Sequence, residues 1–258
     1  MPRYFIEVFY KGTKYSGFQV QQNANTIQSE VARALHIRFR EEFILTGSSR
    51  TDAGVHALQN FFHFDAAEDV FYMKGNFSEE KNIERALYSL NSILPADIVI
   101  KNIIKVGEKA HCRFDAISRQ YKYYVYQQKD PFKMEIGYFY PYPMDIEKLH
   151  ESAAIILNTQ DFTSFSKRNS QVNNFICSIK KSEWKCENNG YEYSVISNRL
   201  LRGMVRGLVG TMLKVVTGKV SLKEFAAIIK SNNCANAAFS VPPQVLFLIA
   251  IKNLPPWM

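Results

Sequence analysis

The residues best suited to chemistry gather in one short stretch, Ser48-Ser49-Arg50-Thr51-Asp52-Ala53-Gly54-Val55-His56-Ala57. It sets a carboxylate between a guanidinium and an imidazole, groups that handle charge and protons. Taken alone, Thr51-Asp52-Ala53-Gly54 reads as a turn, because Asp and Gly favour turns for backbone reasons. Arg50 alone reads as a loop-anchoring salt bridge, and a single His56 at a strand edge as structural. A second acidic group, Asp65, Glu68 and Asp69, lies near a strand end. Glycoside hydrolysis uses a carboxylate pair, and no motif ties these three to Asp52. Cys112, Cys177, Cys186 and Cys234 are far apart with no C-x-x-C pair. Neither a zinc site nor a disulfide framework is expected.

Periodicity sets out the elements that must hold this stretch. Arg3–Tyr10 alternates as a strand. Asn25 with Gln28 reads as a capping-box start. Ile27, Val31, Leu35 and Phe39 then line one helix face. Phe43–Thr46 is a short apolar strand, Gly47–His56 a loop and Leu58–Asp65 an alternating strand. Ile83, Leu87, Leu90 and Leu94 mark a second helix, and Ile98–Val106 a β-branched strand. The order β-α-β-β-α-β is the split pattern of ferredoxin-like domains. The second half repeats it loosely: a Tyr-rich strand at Arg119–Gln127, a helix through Ile146, Leu149, Ala153 and Ile156, and strands at Ile176–Glu187 and Tyr191–Asn198 joined by an Asn188-Asn189-Gly190 hairpin turn. A long helix runs through Leu201, Val205, Leu208 and Met212, then a helix at Leu222–Ile229 and a closing strand at Leu246–Lys252.

The expected fold is therefore α+β. Two ferredoxin-like (βαββαβ) halves, 1–108 and 109–258, carry antiparallel sheets packed side by side, with the active cleft between them. A chain of 258 residues has room for two small domains.

Hydrophobic residues at 47% and charged residues at 22% exclude a largely disordered chain. The net charge of +8 is lopsided. Residues 1–108 hold 12 basic and 13 acidic side chains, whereas residues 109–258 hold 20 and 11. A one-sided excess is the footprint of a polyanion partner, nucleic acid above all, and otherwise a solubility charge. Lys181 and Lys185 share one strand face opposite Lys180. With Lys167 and Arg168 they are candidate phosphate contacts. Arg202 and Arg206, one turn apart, share a helix face, and Arg202 is a further candidate nucleic-acid contact. Gly203, Gly207 and Gly210 line another face and suit close packing. Arg202, Arg206 and Lys214 interrupt the most apolar stretch, so no membrane span fits. Nothing at Met1-Pro2-Arg3-Tyr4 reads as a signal peptide. The default is a soluble, cytoplasmic chain in a reducing compartment.

The whole string Arg50–Ala57 resembles the catalytic loop of the TruA-type tRNA pseudouridine synthases, and the likeness extends along nearly the whole chain. Gly12, Tyr15, Gly17, Phe18, Gln19 and Gln21 resemble that family's G-x-x-Y-x-G-W/F-Q-x-Q run. Arg113-Phe114 with Arg119-Gln120-Tyr121-Lys122-Tyr123 is similar to its Arg and Tyr-x-Tyr motif, and Asp161-Phe162-Thr163-Ser164-Phe165 to its D-F-x-S-F segment. Met204-Val205-Arg206 with Val209-Gly210 is similar to its M-V-R-x-x-V-G helix, and Pro242-Pro243 with Leu246-Phe247-Leu248 to its closing strand. Ordered motifs over this span carry far more than one short match. Two positions depart: Ser49 stands where the family usually has Gly, as does Val245, and Val does not allow the close backbone approach that Gly allows.

The resemblance implies isomerisation of uridine to pseudouridine at tRNA positions 38–40 of the anticodon stem-loop, by a homodimer. The N1–C1′ bond breaks, the uracil turns and C5 joins C1′. No redox change or hydrolysis occurs, so no metal or small-molecule cofactor is required. The essential carboxylate maps to Asp52, acting as nucleophile or base. Attack on the sugar, attack on the base and removal of a ribose proton stay open. Arg206 maps to its ion-pair partner, which would hold a carboxylate pKa down, and alone reads as a surface arginine. Tyr121 maps to the tyrosine that stacks on the uracil and can relay the C5 proton. Alone, its alternation with Tyr123 and Val125 reads as core. Arg50 maps to the arginine that helps extrude the target nucleotide. The alternative is an RNA-binding protein of the same fold with altered substrate or lost turnover.

Overall fold

The computed structural model describes residues 1–66, 70–71, 78–168, 172–187 and 190–253. Glu68, Asp69, Asn188 and Asn189 lie outside them. The chain is a mixed fold of strands and helices that divides into two units, Met1–Ile117 with the chain from Ala250, and Ser118–Ile249.

In the first unit the order is β1 (Arg3–Tyr10), α1 (Ile27–Phe39), β2 (Thr46–Gly47), β3 (His56–Asp65), α2 (Glu79–Ile93) and β4 (Ile98–Val106). β1 is central, antiparallel to both β3 and β4, and β2 adds to β3. Helix α1 starts one residue later than the sequence suggests. Thr26 is its N-cap, and Thr26 and Ser29 cap one another reciprocally. Asn25 and Gln28 are not the pair, because the cap must sit immediately before the first helical residue. The strand expected at Phe43–Thr46 shrinks to Thr46–Gly47. In α2 the buried positions are Asn82, Ala86 and Leu90, a face turned slightly from the expected Ile83-Leu87 line.

Alternation in β1 does not mean one wet face. Tyr4, Phe5 and Ile6 are all at most 1% exposed, so both faces are covered. The chain around Ala110–Phe114 lies against the Arg3 end of β1 and against β3. Arg3 Nη1 donates to Ala110 O at 2.9 Å, and Cys112 Sγ lies 3.1 Å from His63 Nδ1. Arg3 also grips Asp65 through two 2.7 Å bonds. That guanidinium holds the Asp65 carboxyl below its ordinary range and occupies both its oxygens, so Asp65 is an anchor of β1 to β3.

The second unit contains β5 (Ala116–Tyr126), most of which lies in it, β6 (Tyr138–Phe139), α3 (Ile146–Leu157), β7 (Ile179–Glu187), β8 (Gly190–Ser197), α4 (Met204–Val216) and α5 (Leu222–Lys230). β9 (Leu246–Asn253) has its first residues here and its last in the first unit. The strand order is β5-β8-β7, antiparallel throughout, with β6 parallel to β5. Tyr123, Tyr193 and Trp184 stand directly across from one another on these three strands. None exceeds 2% exposure, and Trp184 Nε1 donates to Met212 Sδ of α4 at 3.4 Å. This aromatic row is the inner face on which α4 packs. Among the described residues no helix is long and apolar enough to cross a membrane.

Candidate active site

Asp52 and Arg50 lie on the loop between β2 and β3. Arg50 is exposed and Asp52 half-buried, while Ser48, Ser49 and Thr51 around them are buried. The loop therefore grips the protein with its small hydroxyl residues and presents its charged ones.

Three sets of contacts fix it. First, the Gly12–Gln21 stretch lies along its backbone. Phe18 N donates to Thr51 O at 3.1 Å and Gly54 N to Tyr15 O at 3.3 Å. Gly17 has φ +105, and a Cβ there would face Thr51 O at 3.1 Å; one on Gly12 would stand 2.0 Å from Val55 O. Both glycines exist to let two backbones touch. The early motif is thus the bed of the Asp52 loop.

Second, Asn60 of β3, fully buried, reaches back into the loop. Its Nδ2 donates to Ser49 O at 2.8 Å and to Tyr10 OH at 3.1 Å, and its Oδ1 accepts from Ser49 N at 3.2 Å. Tyr10 OH in turn bonds Thr51 Oγ1 at 2.8 Å. Between Val8↔Asn60 and Tyr10↔Ala57 the β1–β3 register shifts, a bulge of the kind that redirects chain beside active sites. Periodicity alone did not single out Asn60 or Tyr10; a polar residue amid an apolar strand was the available signal.

Third, Ser48 Oγ donates to Cys112 O at 2.6 Å, and Gly12 N donates to His56 Nδ1 at 2.9 Å. His56 is 2% exposed, and its accepting Nδ1 makes it a backbone anchor, the structural role expected of it. Ser49 keeps φ outside the left-handed region, so this backbone does not require glycine there.

Tyr121 and Arg206 lie in the second unit. Tyr121 stands across from Val195 and is 9% exposed, against 0% for Tyr123 and 2% for Val125. It is the outermost of the three on that face. Arg206 Nε donates to Val241 O at 2.8 Å and Nη2 to Phe239 O at 3.0 Å. The same segment receives Tyr123 OH at Pro242 O, 3.0 Å, and gives Ala238 N to Thr211 Oγ1, 3.0 Å. Burial pushes the Tyr123 hydroxyl far above its ordinary pKa, so it stays a neutral donor. A Cβ on Gly210 would meet Ala238 O at 2.2 Å, and one on Gly207 would meet the Phe239 ring at 2.7 Å. The glycine face of α4 receives this loop rather than a helix or sheet.

Arg202 does not share a helix face with Arg206. Gly203, at φ +72, caps α4, so Arg202 sits before the helix and is exposed. Lys167 joins it there: Lys167 N donates to Arg202 O at 3.0 Å, and the Lys167 stem lies over Gly203. With exposed Arg168 they form one basic group. Lys181 and Lys185 are placed otherwise. They flank Glu183 on one face of β7, at 2.5 and 3.4 Å, which neutralises part of their charge and lowers the Glu183 pKa.

The sequence matches the family model described as tRNA pseudouridine synthase over residues 8–115 and 155–252. It is 39% identical over 258 residues to a tRNA pseudouridine synthase A of Azobacteroides pseudotrichonymphae, covering 100% of this chain and 99% of that one. One from Parabacteroides distasonis is 39% identical over 251 residues, 97% and 96% of the two chains. One from Staphylococcus aureus is 32% identical over 248 residues, 95% and 90%.

Proposed function

The chain belongs to the tRNA pseudouridine synthase family, and on that premise we propose that it isomerises uridine to pseudouridine at positions 38–40 of the tRNA anticodon stem-loop. The observation that carries this reading is the Asp52 loop. Arg50 is exposed and Asp52 half-buried, while buried Asn60, Tyr10 and the glycines of the early motif hold the loop backbone. Such pre-organisation is what positioning a nucleophile or base against a uridine requires.

In this reading Asp52 is the nucleophile or base and Arg206 its counter-charge. Tyr121 supplies a ring face for the uracil and a hydroxyl for the C5 proton. Exposed Arg50 offsets part of the cost of extruding the nucleotide. Lys167, Arg168 and Arg202, with Lys181 and Lys185, grip phosphates. The isomerisation moves no electrons to or from an acceptor, so it calls for no redox cofactor. We assign a ferredoxin-like build to each half, 1–108 and 109–258. The β1-α1-β2-β3-α2-β4 order supports it for the first. We assign a cytoplasmic homodimer as the working form.

The test is direct. Purified protein is incubated with unmodified tRNA transcripts and pseudouridine is mapped at every position, with Asp52→Ala in parallel. Product from the wild type and none from the variant is expected. Equal product from both would remove Asp52 from the chemistry, and tRNA binding without product would favour a binding protein that has lost turnover.

A further inference from the structure

The Arg113-Phe114 pair has no part in the roles assigned above, yet its turn is built with care. His111 Nδ1 accepts Arg113 N at 3.2 Å and Phe114 N at 3.3 Å. Asp115 returns the favour: its Oδ2 accepts His111 N at 2.7 Å, and its own N donates to His111 O at 3.0 Å. Two side chains are thus committed to one five-residue turn. What the turn displays is a phenyl ring at 75% exposure. The His111 ring lies 4.2 Å from it and the Arg113 guanidinium 5.7 Å from its centre.

A single exposed phenylalanine needs no explanation by itself. This one is held stiffly, has a cation beside it, and is joined to the Asp52 loop. Cys112, two residues before Phe114, accepts Ser48 Oγ at 2.6 Å through its carbonyl and sits buried against His63. Ser48 is four residues from Asp52, at most about 14 Å of extended chain. A rigid aromatic face with an adjacent arginine is the chemistry that holds an unpaired base, because every base has a π-face and arginine adds a cation–π term.

We infer that Phe114 is a second base-stacking platform, which holds an unpaired nucleobase of the tRNA near the uridine being isomerised, with Arg113 beside it. This rests on the tRNA-isomerase reading. The ring fixes the RNA on the Asp52 side independently of phosphate charge.

The experiment compares wild type, Phe114→Leu and Phe114→Trp on unmodified tRNA transcripts, measuring Kd, kcat and KM at low and high salt. Phe114→Leu should weaken binding by about five- to 150-fold, the range one stacked base supplies. The loss should persist at high salt, because stacking releases no counterions. Phe114→Trp should restore affinity. Transcripts with one abasic nucleotide, moved along the anticodon stem-loop, locate the partner. At one position the abasic change should weaken the wild type and leave Phe114→Leu no worse. Product from the wild type with unchanged Kd and KM in Phe114→Leu would overturn the stacking assignment alone. No product from the wild type at any position would overturn the isomerase reading beneath it.

Discussion

Asn60 holds Ser49 by both of its backbone groups, accepting from the nitrogen at 3.2 Å and donating to the oxygen at 2.8 Å. One buried amide thereby gives a loop residue the two-sided backbone pairing that a strand neighbour supplies. Ser49 is the residue before Arg50 and three before Asp52, so the start of the Asp52 loop is fixed from inside the sheet.

Asn60→Leu should therefore slow pseudouridine formation more than it weakens tRNA binding. It removes the bonds from Asn60 to the Ser49 backbone in a buried place, at ~1–3 kcal/mol per group left unsatisfied. Single-turnover rates, tRNA Kd and a thermal melt check this. An unchanged rate in a folded Asn60→Leu protein would show that the loop holds itself.

Arg206→Ala is expected to lower turnover more than tRNA affinity, and also to lower the melting temperature. The carbonyls of Phe239 and Val241 lose their donors. Arg206→Lys should recover little, since an ammonium lacks the planar fork that reaches two carbonyls at once. A normal rate with poorer affinity would refute the catalytic role.

The basic residues should separate in a salt titration. Arg202→Ala is expected to weaken tRNA binding and to reduce the slope of log K against log salt by about one. Lys181→Ala should change it less, because Glu183 already sits 2.5 Å from that ammonium. Equal slopes for the two variants would mean that the ion pair opens when RNA binds.

Stability should fall in mild acid. Burial, then repulsion by His111 once it is protonated and by the Arg3 guanidinium, push His63 from 6.5 to about 4 against the weaker pull of Asp65 and Asp115. Its folded pKa is lower than its unfolded one. The stability it contributes is complete above about pH 6.5 and is lost as pH falls toward 4, on the order of 3 kcal/mol in all. Urea unfolding at several pH values measures it, and His63→Phe should flatten the slope in that window. The same slope in that variant would place its origin elsewhere.

Gly210→Ala should destabilise by about 1–3 kcal/mol, because its methyl would stand 2.2 Å from Ala238 O. A melting temperature equal to the wild type would show that the Ala238–Pro242 segment moves freely on α4.

The sequence by itself determined the elements whose signal is local. Arg3–Tyr10 and Ile98–Val106 are strands with the bounds that alternation and β-branching mark, and the helix through Ile146 begins at that residue. The Arg50–Ala57 string marked the candidate loop through its resemblance to a family motif, since its residues stand next to one another; alone, Thr51–Gly54 reads as a turn. Only the tertiary structure decided what lies against what. Periodicity tells which face of an element is covered, never by which distant segment. The bond of Arg3 in β1 to Ala110, the seating of Ala238–Pro242 on the glycines of α4, and the grip of Asn60 on Ser49 all join residues far apart or on different elements. Arg202 and Arg206 read as one helix face because their spacing is helical. Gly203 at φ +72 separates them, since a left-handed residue starts the helix one position after Arg202 and turns its side chain to solvent.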